Sequence, residues 1–324
     1  MRAIVCEKLG LPSDLVMREL PDSHEPGPGE IKVALSARGA QFVDVLMAAG
    51  EYQTKPPLPF IPGGEAAGEI VAVGSEVDKF KVGDKVMTRH STGAFAEQAT
   101  IPADHALLVP ANMELIQAAG FRSAYSTAYH SLVQRGRLQP GETLLVHGAA
   151  GGIGLAAVQI GKILGATVIA TASSDNKLAV VEANGADHII NYTDGFRDKV
   201  KELTDGRGAD VIYDPVGAGV FDESMRCLNW GARILILGFV GGGPSLAKTN
   251  HLLIKGASAV GVRMGGFNEF EPETAAANLK VLMEWAKAGK LKPHVSHTYP
   301  LDQVAKALQV IIDRKVIGKC VLTN

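Results

Sequence analysis

The stretch Leu144-Leu145-Val146-His147-Gly148-Ala149-Ala150-Gly151-Gly152-Ile153-Gly154 constrains this chain more than any other segment. A short apolar run ends in a glycine cluster, and apolar residues at helical spacing (Leu155, Ala156, Val158, Ile160, Ile163, Leu164) follow at once. The pattern predicts a strand, a tight turn and a helix. A turn without bulky side chains lets backbone N–H groups and the positive end of the helix dipole close on a pyrophosphate. Gly151 lets the backbone approach the phosphates and Gly154 lets helix and strand pack closely. Gly152 and Ile153 lie between them as further cofactor-binding candidates, and Ala149 stands where the first glycine of such a fingerprint usually falls. A plain strand-to-helix turn is the other reading of the motif. The strand–helix alternation downstream favours the dinucleotide reading.

Three regimes follow one another along the chain. Up to about residue 120, short strand candidates (Arg2–Glu7, Ile31–Arg38, Gly68–Val73, Lys85–Thr88, Phe95–Ile101) are separated by turns such as Pro26-Gly27-Pro28-Gly29 and Pro62-Gly63-Gly64. They predict a twisted, mostly antiparallel, barrel-like body. From about residue 140, strands at Thr143–His147, Thr167–Ala172, His188–Asn191, Val211–Asp214, Arg233–Leu237 and Ala257–Val262 alternate with helices, one of them Asp175–Asn184. That rhythm builds a parallel sheet covered on both faces. After residue 265 come two amphipathic helices, with Leu279, Leu282, Met283 and Ala286 on one and Val304, Ala307, Leu308 and Ile311 on the other, then a strand at Lys319–Leu322. The six-strand sheet is already complete, so this tail is expected to return to the first domain. The expected division is 1–121 with 266–324 for the barrel-like domain and 122–265 for the nucleotide domain, with the cleft between them.

A length of 324 residues fits two domains, and 46% hydrophobic with 20% charged residues fits a globular protein. A net charge of −2 gives no electrostatic case for nucleic acid or an anionic membrane as partner. Cys6, Cys227 and Cys320 are odd in number and far apart, which excludes a disulfide framework or a cysteine-built zinc site. The early charges Arg2 and Glu7 argue against a secretory leader, and no apolar run approaches the roughly 18 residues of a membrane span. A cytoplasmic protein is the expectation.

Gly63-Gly64-Glu65-Ala66-Ala67-Gly68, Val82-Gly83-Asp84-Lys85-Val86, the late Ala-x-Gly-x-x-Gly turn and Ile317-Gly318-Lys319 together carry a family resemblance. The whole chain resembles the medium-chain dehydrogenase/reductase superfamily, and within it the zinc-free quinone oxidoreductases related to zeta-crystallin. The resemblance implies an α/β fold, a GroES-like catalytic domain with an inserted Rossmann doubly wound parallel sheet. It also implies NADPH-dependent reduction of quinones or activated alkenes, and a homodimer joined through the edge strand near Ala257–Val262. The positions that bind catalytic zinc in zinc-dependent relatives correspond here to Gln41, Gly64 and Ser123, none a useful ligand. Without a Lewis acid to stabilise an alkoxide, alcohol oxidation is disfavoured, whereas a conjugated acceptor takes up charge itself. His147, beside the phosphate turn, reads as a strand-end packing residue.

The cofactor expected is NADPH. The second strand of the nucleotide domain ends at Ala172, where an NAD-binding fold places an acid on the ribose 2′-hydroxyl. Ser173 and Lys177 are then positioned to hold a 2′-phosphate, and by resemblance Tyr192 contacts the same group. Other readings make Ser173 or Ser174 a helix cap and Lys177 a solvated lysine. Asp175 falls too late for the ribose acid and suits the helix dipole. By resemblance Thr127 approaches the nicotinamide, although a bare threonine also bonds its own helix backbone. Gly238, Phe239 and Val240 follow the fifth strand, where glycine allows the ribose a close approach, and Arg263 lines the cleft or lies on the surface.

The segment Gln41–Tyr52 aligns with the family's active-site helix and loop. Asp44 and Tyr52 match the family pattern, while Gln41, Leu46 and Ala48 replace the usual asparagine, tyrosine and arginine, which implies a less polar pocket. Catalytic candidates are Tyr52, Asp44 and Gln41. Tyr52 is the proton donor of choice, since a phenol stays protonated at neutral pH; alternatively it packs on Pro56, Pro57 and Pro59. Asp44 reads rather as an orienting or capping residue. The first functional reading is an NADPH-dependent, metal-free reductase of quinones or similar small electrophiles. The second is an enone or enoyl-thioester C=C reductase with Tyr52 as donor. The third, from another class, is an NADPH-binding structural or regulatory protein without significant turnover.

Overall fold

Almost unbroken burial, the mark of a strand covered on both faces, runs from Glu30 to Ala40, further than the sequence pattern alone marks it. This long strand organises the first of two units into which residues 1–324 of the computed structural model divide. One unit comprises Met1–Ser123 and Lys292–Asn324, the other Ala124–Leu291.

In the first unit the chain forms β1 (Arg2–Val5), β2 (Val16–Glu19), β3 (Glu30–Ala40), α1 (Phe42–Ala48), β4 (Glu65–Val73), β5 (Lys85–Arg89), β6 (Gln98–Pro102), β7 (Ala106–Leu108) and α2 (Leu115–Ala118). The helix α3 (Arg122–His130) follows. β1 and β2 pair antiparallel as a ribbon. β3 pairs antiparallel with both β4 and β6, and β5 joins β4 to β7. Ile31, Val33, Leu35, Ile70 and Val86 fill the interior between these strands.

The second unit holds β8 (Thr143–Val146), α4 (Gly152–Ile163), β9 (Thr167–Ala172), α5 (Asp175–Ala183), β10 (His188–Asn191), α6 (Arg197–Leu203), β11 (Ala209–Asp214), α7 (Ala218–Ser224), β12 (Leu228–Ile236), α8 (Thr249–Lys255) and β13 (Ser258–Gly261). All six strands are parallel, in the order β10-β9-β8-β11-β12-β13. Numbered from β8 this is 3-2-1-4-5-6, the doubly wound dinucleotide order, whose ligand crevice lies beyond the carboxyl ends of the strands. Fully buried Leu145, Ile169, Ile212 and Ile234 form its core.

One expectation needs correction here. Helices α9 (Met264–Phe270) and α10 (Pro272–Lys287) belong to the nucleotide unit, and the chain rejoins the first unit only at Lys292 rather than at 266. The reason lies in their contacts with α3 and the π-helical turn Ser131–Arg135 after it. Phe267 stacks on His130 with ring centroids 3.8 Å apart, Trp285 meets Tyr129 at 5.6 Å, and Gln134 and Asn278 exchange amide hydrogen bonds of 3.0 and 3.1 Å. The apolar face Leu282, Met283 and Ala286 is buried.

The tail then adds β14 (Val295–Pro300), α11 (Val304–Ile312) and β15 (Lys319–Thr323) to the first unit. β15 inserts between β14 and β3, parallel to one and antiparallel to the other. Val304, Ala307 and Leu308 of α11 pack with Ile4, Phe60, Phe95 and Leu322 in a second core.

Candidate active site

In the nucleotide unit, the turn after β8 is built around residues that only glycine satisfies. Gly148 has a φ of +56°, a backbone conformation that disfavours side chains. A Cβ on Gly154 would run into the Gly148 carbonyl and come within 2.7 Å of Ala149 Cα, so α4 starts hard against the turn. Gly151 differs. It is the N-cap of α4, with φ −78° and ψ 168°, and a Cβ there would meet nothing nearer than the Gly148 oxygen at 3.4 Å. Internal packing therefore does not require glycine at 151. The first N–H groups of α4, from Gly152, Ile153 and Gly154, lack intrahelical acceptors by the geometry of any helix start. This cradle fits a diphosphate. Ala149 is fully buried and its N–H bonds Thr171 O at 3.1 Å, so the residue at the usual first glycine fills space inside the turn.

The remaining cofactor candidates fall at the carboxyl ends of the same strands. Ala172 ends β9 and is buried; exposed Ser173 follows, and Lys177 Nζ lies 3.4 Å from Ser173 Oγ. Across the register, Ala172 pairs with Asn191, so Tyr192 emerges beside them, half-buried. Ser174 occupies the N-cap of α5 without a side-chain capping bond. Asp175 accepts a hydrogen bond from Asn191 Nδ2 at 3.0 Å, in the first turn of α5. Gly238, Phe239 and Val240 follow β12, the Val240 N–H bonding Pro215 O at 3.3 Å, and Phe239 is 45% exposed. Arg263 is exposed after β13 as the N-cap of α9. Thr127, half-buried on α3, accepts at its carbonyl a 2.6 Å bond from Ser131 Oγ.

His147 is a packing residue. Its two ring nitrogens lie 2.9 Å from Thr171 Oγ1 and 2.8 Å from Ser224 Oγ, and its ring tilts on Phe196. Burial pushes its imidazole down to about 3, so it is neutral.

In the other unit, three residues far apart in sequence meet. Ser123 Oγ donates to Gln41 Oε1 at 3.1 Å, and a Cβ on Gly64 would stand 4.0 Å from Gln41 Nε2. Gln41 is the N-cap of α1, and its N–H donates to Asp44 Oδ2 at 2.8 Å. Asp44 is 2% exposed, and burial lifts its carboxyl to about 7, against the Gln41 and Gly63 N–H groups and the Lys319 charge. Its carboxyl caps the start of α1. Ala48 is buried among core residues and so does not shape a pocket surface. Tyr52 follows α1, half-buried, its N–H bonded to Leu46 O at 3.2 Å.

Sequence reasoning passed over the charged pair beneath this cluster. Glu65 and Lys319 are both buried, with Lys319 Nζ 2.7 Å from Glu65 Oε1, and Glu65 Oε2 accepts the Ser123 N–H at 3.0 Å. Gly39 makes room for Glu65, whose Oε1 would lie 2.8 Å from a Cβ there, and Gly120 makes room for the Lys319 stem. The signal was an acid among small residues in Gly63-Gly64-Glu65-Ala66-Ala67-Gly68 and a lysine before Cys320-Val321-Leu322, both inside quoted motifs. No group of three His, Cys, Asp or Glu side chains is arranged to hold a metal ion. An amide, a hydroxyl and a glycine do not suit zinc.

A 3-2-1-4-5-6 sheet with this glycine turn, inserted in sequence into a β-rich unit that resumes at Lys292, defines a medium-chain dehydrogenase/reductase. Residues 27–111 match the alcohol dehydrogenase GroES-like domain, and residues 152–278 the family described as zinc-binding dehydrogenase. A quinone oxidoreductase-like protein 2 homolog from Nematostella vectensis is 40% identical over 100% of this chain and 89% of its own length. The crystal structure of Escherichia coli quinone oxidoreductase complexed with NADPH superposes with a TM-score of 0.90 at 30% identity, covering 100% of both chains. The CurF ER cyclopropanase of curacin A biosynthesis gives 0.88 at 28% identity, covering 99% of this chain and 98% of its own. The chain belongs to the quinone oxidoreductase family of medium-chain dehydrogenase/reductases, and is an oxidoreductase.

Proposed function

We propose that this protein is an NADPH-dependent oxidoreductase that reduces quinones or similar electrophilic small molecules without a metal ion. The observation that carries the cofactor is the end of β9, where buried Ala172 replaces an acid and Lys177 and Ser173 converge at 3.4 Å next to the glycine turn. The NADPH complex of the E. coli relative supports it. Bound NADPH supplies a hydride equivalent at its nicotinamide. The N–H groups of Gly152, Ile153 and Gly154 hold the diphosphate, and Gly151, whose own N–H bonds Gly148 O at 3.0 Å, leaves room for it; Ser173, Lys177 and Tyr192 hold the 2′-phosphate. Gly238, Phe239 and Val240 give the ribose its close approach, with Thr127 and Arg263 at the margins of the cofactor site.

Residues 1–123 and 292–324 form the acceptor domain in this reading. The Gln41–Ser123 pair lines the acceptor site, Asp44 holds Gln41 in place by capping α1, and the Tyr52 hydroxyl returns a proton to the reduced acceptor. Gln41, Gly64 and Ser123 offer zinc no adequate donor set, so no step passes through a metal. A second reading, reduction of a conjugated C=C bond with Tyr52 protonating carbon, is favoured by the CurF likeness and the apolar Leu46. We further propose a homodimer through the β13 edge, flanked by exposed Trp230, Leu253 and Ile254. No helix is long and apolar enough to cross a membrane.

The test is steady-state kinetics with both cofactors. A charge-assisted contact of about 1.5–3 kcal/mol predicts an NADPH preference in kcat/KM of roughly tenfold to a hundredfold. Lys177→Ala should remove most of it. Equal kcat/KM for NADPH and NADH in the wild-type enzyme, unchanged by Lys177→Ala, would refute the reading.

A further inference from the structure

The proposed reaction gives the buried pair Glu65 and Lys319 no part, and the core does not need its charges. Glu65 opens β4 and Lys319 opens β15. Both side chains are buried, with Lys319 Nζ 2.7 Å from Glu65 Oε1. Taking two charges out of water costs about as much as pairing them returns, so neutral side chains of similar size would hold the strands as well. What the carboxylate adds is a second, directional contact.

Its other oxygen, Oε2, accepts the Ser123 N–H at 3.0 Å. Ser123 is the second residue of α3, where backbone N–H groups have no acceptor inside the helix and a negative charge is favoured. The Ser123 hydroxyl donates in turn to Gln41 Oε1 at 3.1 Å. That bond fixes which way the Gln41 amide faces. Its oxygen is turned to Ser123 and its nitrogen to Gly64, where an added Cβ would stand 4.0 Å from Nε2 and 3.8 Å from His90 O. Residue 64 has no side chain to fill that space. The backbone end of Gln41 is tied as well, its N–H donating to Asp44 Oδ2 at 2.8 Å. Hydrogen bonds thus link β15 through β4 and the start of α3 to the amide at the start of α1. The backbone leaves room for them. At Gly39 an added Cβ would run into the Ala119 carbonyl and stand 2.8 Å from Glu65 Oε1, and at Gly120 it would stand 2.9 Å from Lys319 Cγ. A carbonyl oxygen that gains negative charge is stabilised by an N–H donor already aimed at it.

We propose that Glu65, held by Lys319, is a positioning residue of the acceptor site. It anchors Ser123, and through the Ser123 hydroxyl it aims the Gln41 amide nitrogen at the acceptor oxygen. The inference rests on the reading of Gln41 and Ser123 as the lining of the acceptor site, and adds the pair that sets their geometry.

The experiment is a mutant cycle. One arm replaces both charges by neutral side chains of similar size, Glu65→Gln with Lys319→Met; the other is Ser123→Ala; the third protein carries all three changes. With Ser123 in place, neutralising the pair should lower kcat/KM for 1,4-naphthoquinone by about tenfold or more. On the Ser123→Ala background, where the bond to Gln41 is already gone, the same change should cost less than about twofold. Glu65→Asp keeps the charge but shortens the arm, and run through the same cycle it should show the same dependence on Ser123. Calorimetric titration of the enzyme with 1,4-naphthoquinone in the presence of NADP⁺, where no electrons move, gives a readout apart from turnover. A dissociation constant weakened by neutralising the pair only when Ser123 is present supports the positioning role even if the wild type does not reduce the quinone. That failure to reduce would instead refute the reductase reading. An equal loss with and without the Ser123 hydroxyl would make the pair a structural element only and overturn the proposal, as would no loss in either background.

Discussion

Asp44 gives the sharpest test of how the acceptor unit is built. Its carboxyl sits at about 7 in the folded protein against 3.8 for the ordinary side chain, because burial opposes its charge. The unfolded chain therefore releases this proton near 3.8 and the folded chain holds it until about 7. Stability attributable to Asp44 falls as pH rises through that window and levels off above it. The cost to the folded state is roughly 2 kcal/mol at about pH 5 and ~4 kcal/mol at about pH 8. Asp44→Asn keeps an oxygen to accept the Gln41 N–H and has no proton to lose. The variant's advantage over wild type should therefore grow by about 2–3 kcal/mol from about pH 5 to about pH 8. For a unit of this size that is roughly 5–10 °C of relative shift in melting temperature. Denaturant titrations and thermal melts at the two pH values measure it. A constant offset between variant and wild type across the range would show that the carboxyl is not held protonated, and the reasoning would fail.

Two further outcomes follow from the same geometry. Gly151→Ala should retain the wild-type melting temperature and lose NADPH affinity, while Gly154→Ala should lose both, because only the second Cβ collides with the turn; thermal melts with and without NADPH separate the two. Lys319→Met should lower stability by about 3–5 kcal/mol in denaturant titrations by leaving Glu65 charged and buried, and Glu65→Gln on that background should restore part of it.

The nucleotide unit was largely legible because its signals are local. Several of the parallel strands hold short apolar runs, and the turn at Gly148–Gly154 announces both ends of its elements. Long-range choices were not legible. The stripe Leu282, Met283 and Ala286 says that a helix must bury a face, but not that His130, Gln134 and Tyr129 would receive the α9–α10 pair. β14 alternates half-buried and exposed positions, but its residues Val295-Ser296-His297-Thr298-Tyr299-Pro300 include three polar ones in a row, so as an edge strand it carries little apolar signal. In the acceptor unit, the resemblance placed Gln41, Gly64 and Ser123 together, whereas the Glu65–Lys319 pair spans 254 residues and has no local signature.

The place of β15 bears on how the protein is made. Residues 319–323 lie between β14 and β3, of which β3 was laid down far earlier, and Lys319 completes a pair with Glu65 from 254 residues back. All six strands of the parallel sheet, by contrast, come from one uninterrupted stretch. At ordinary ribosomal speeds, roughly 13–50 seconds separate emergence of the two halves of that ion pair. During that interval β3 presents an open edge and Glu65 an unanswered charge on the nascent chain. Translation order thus leaves the amino-terminal half as the segment most in need of chaperone protection, while the middle of the polypeptide can settle first.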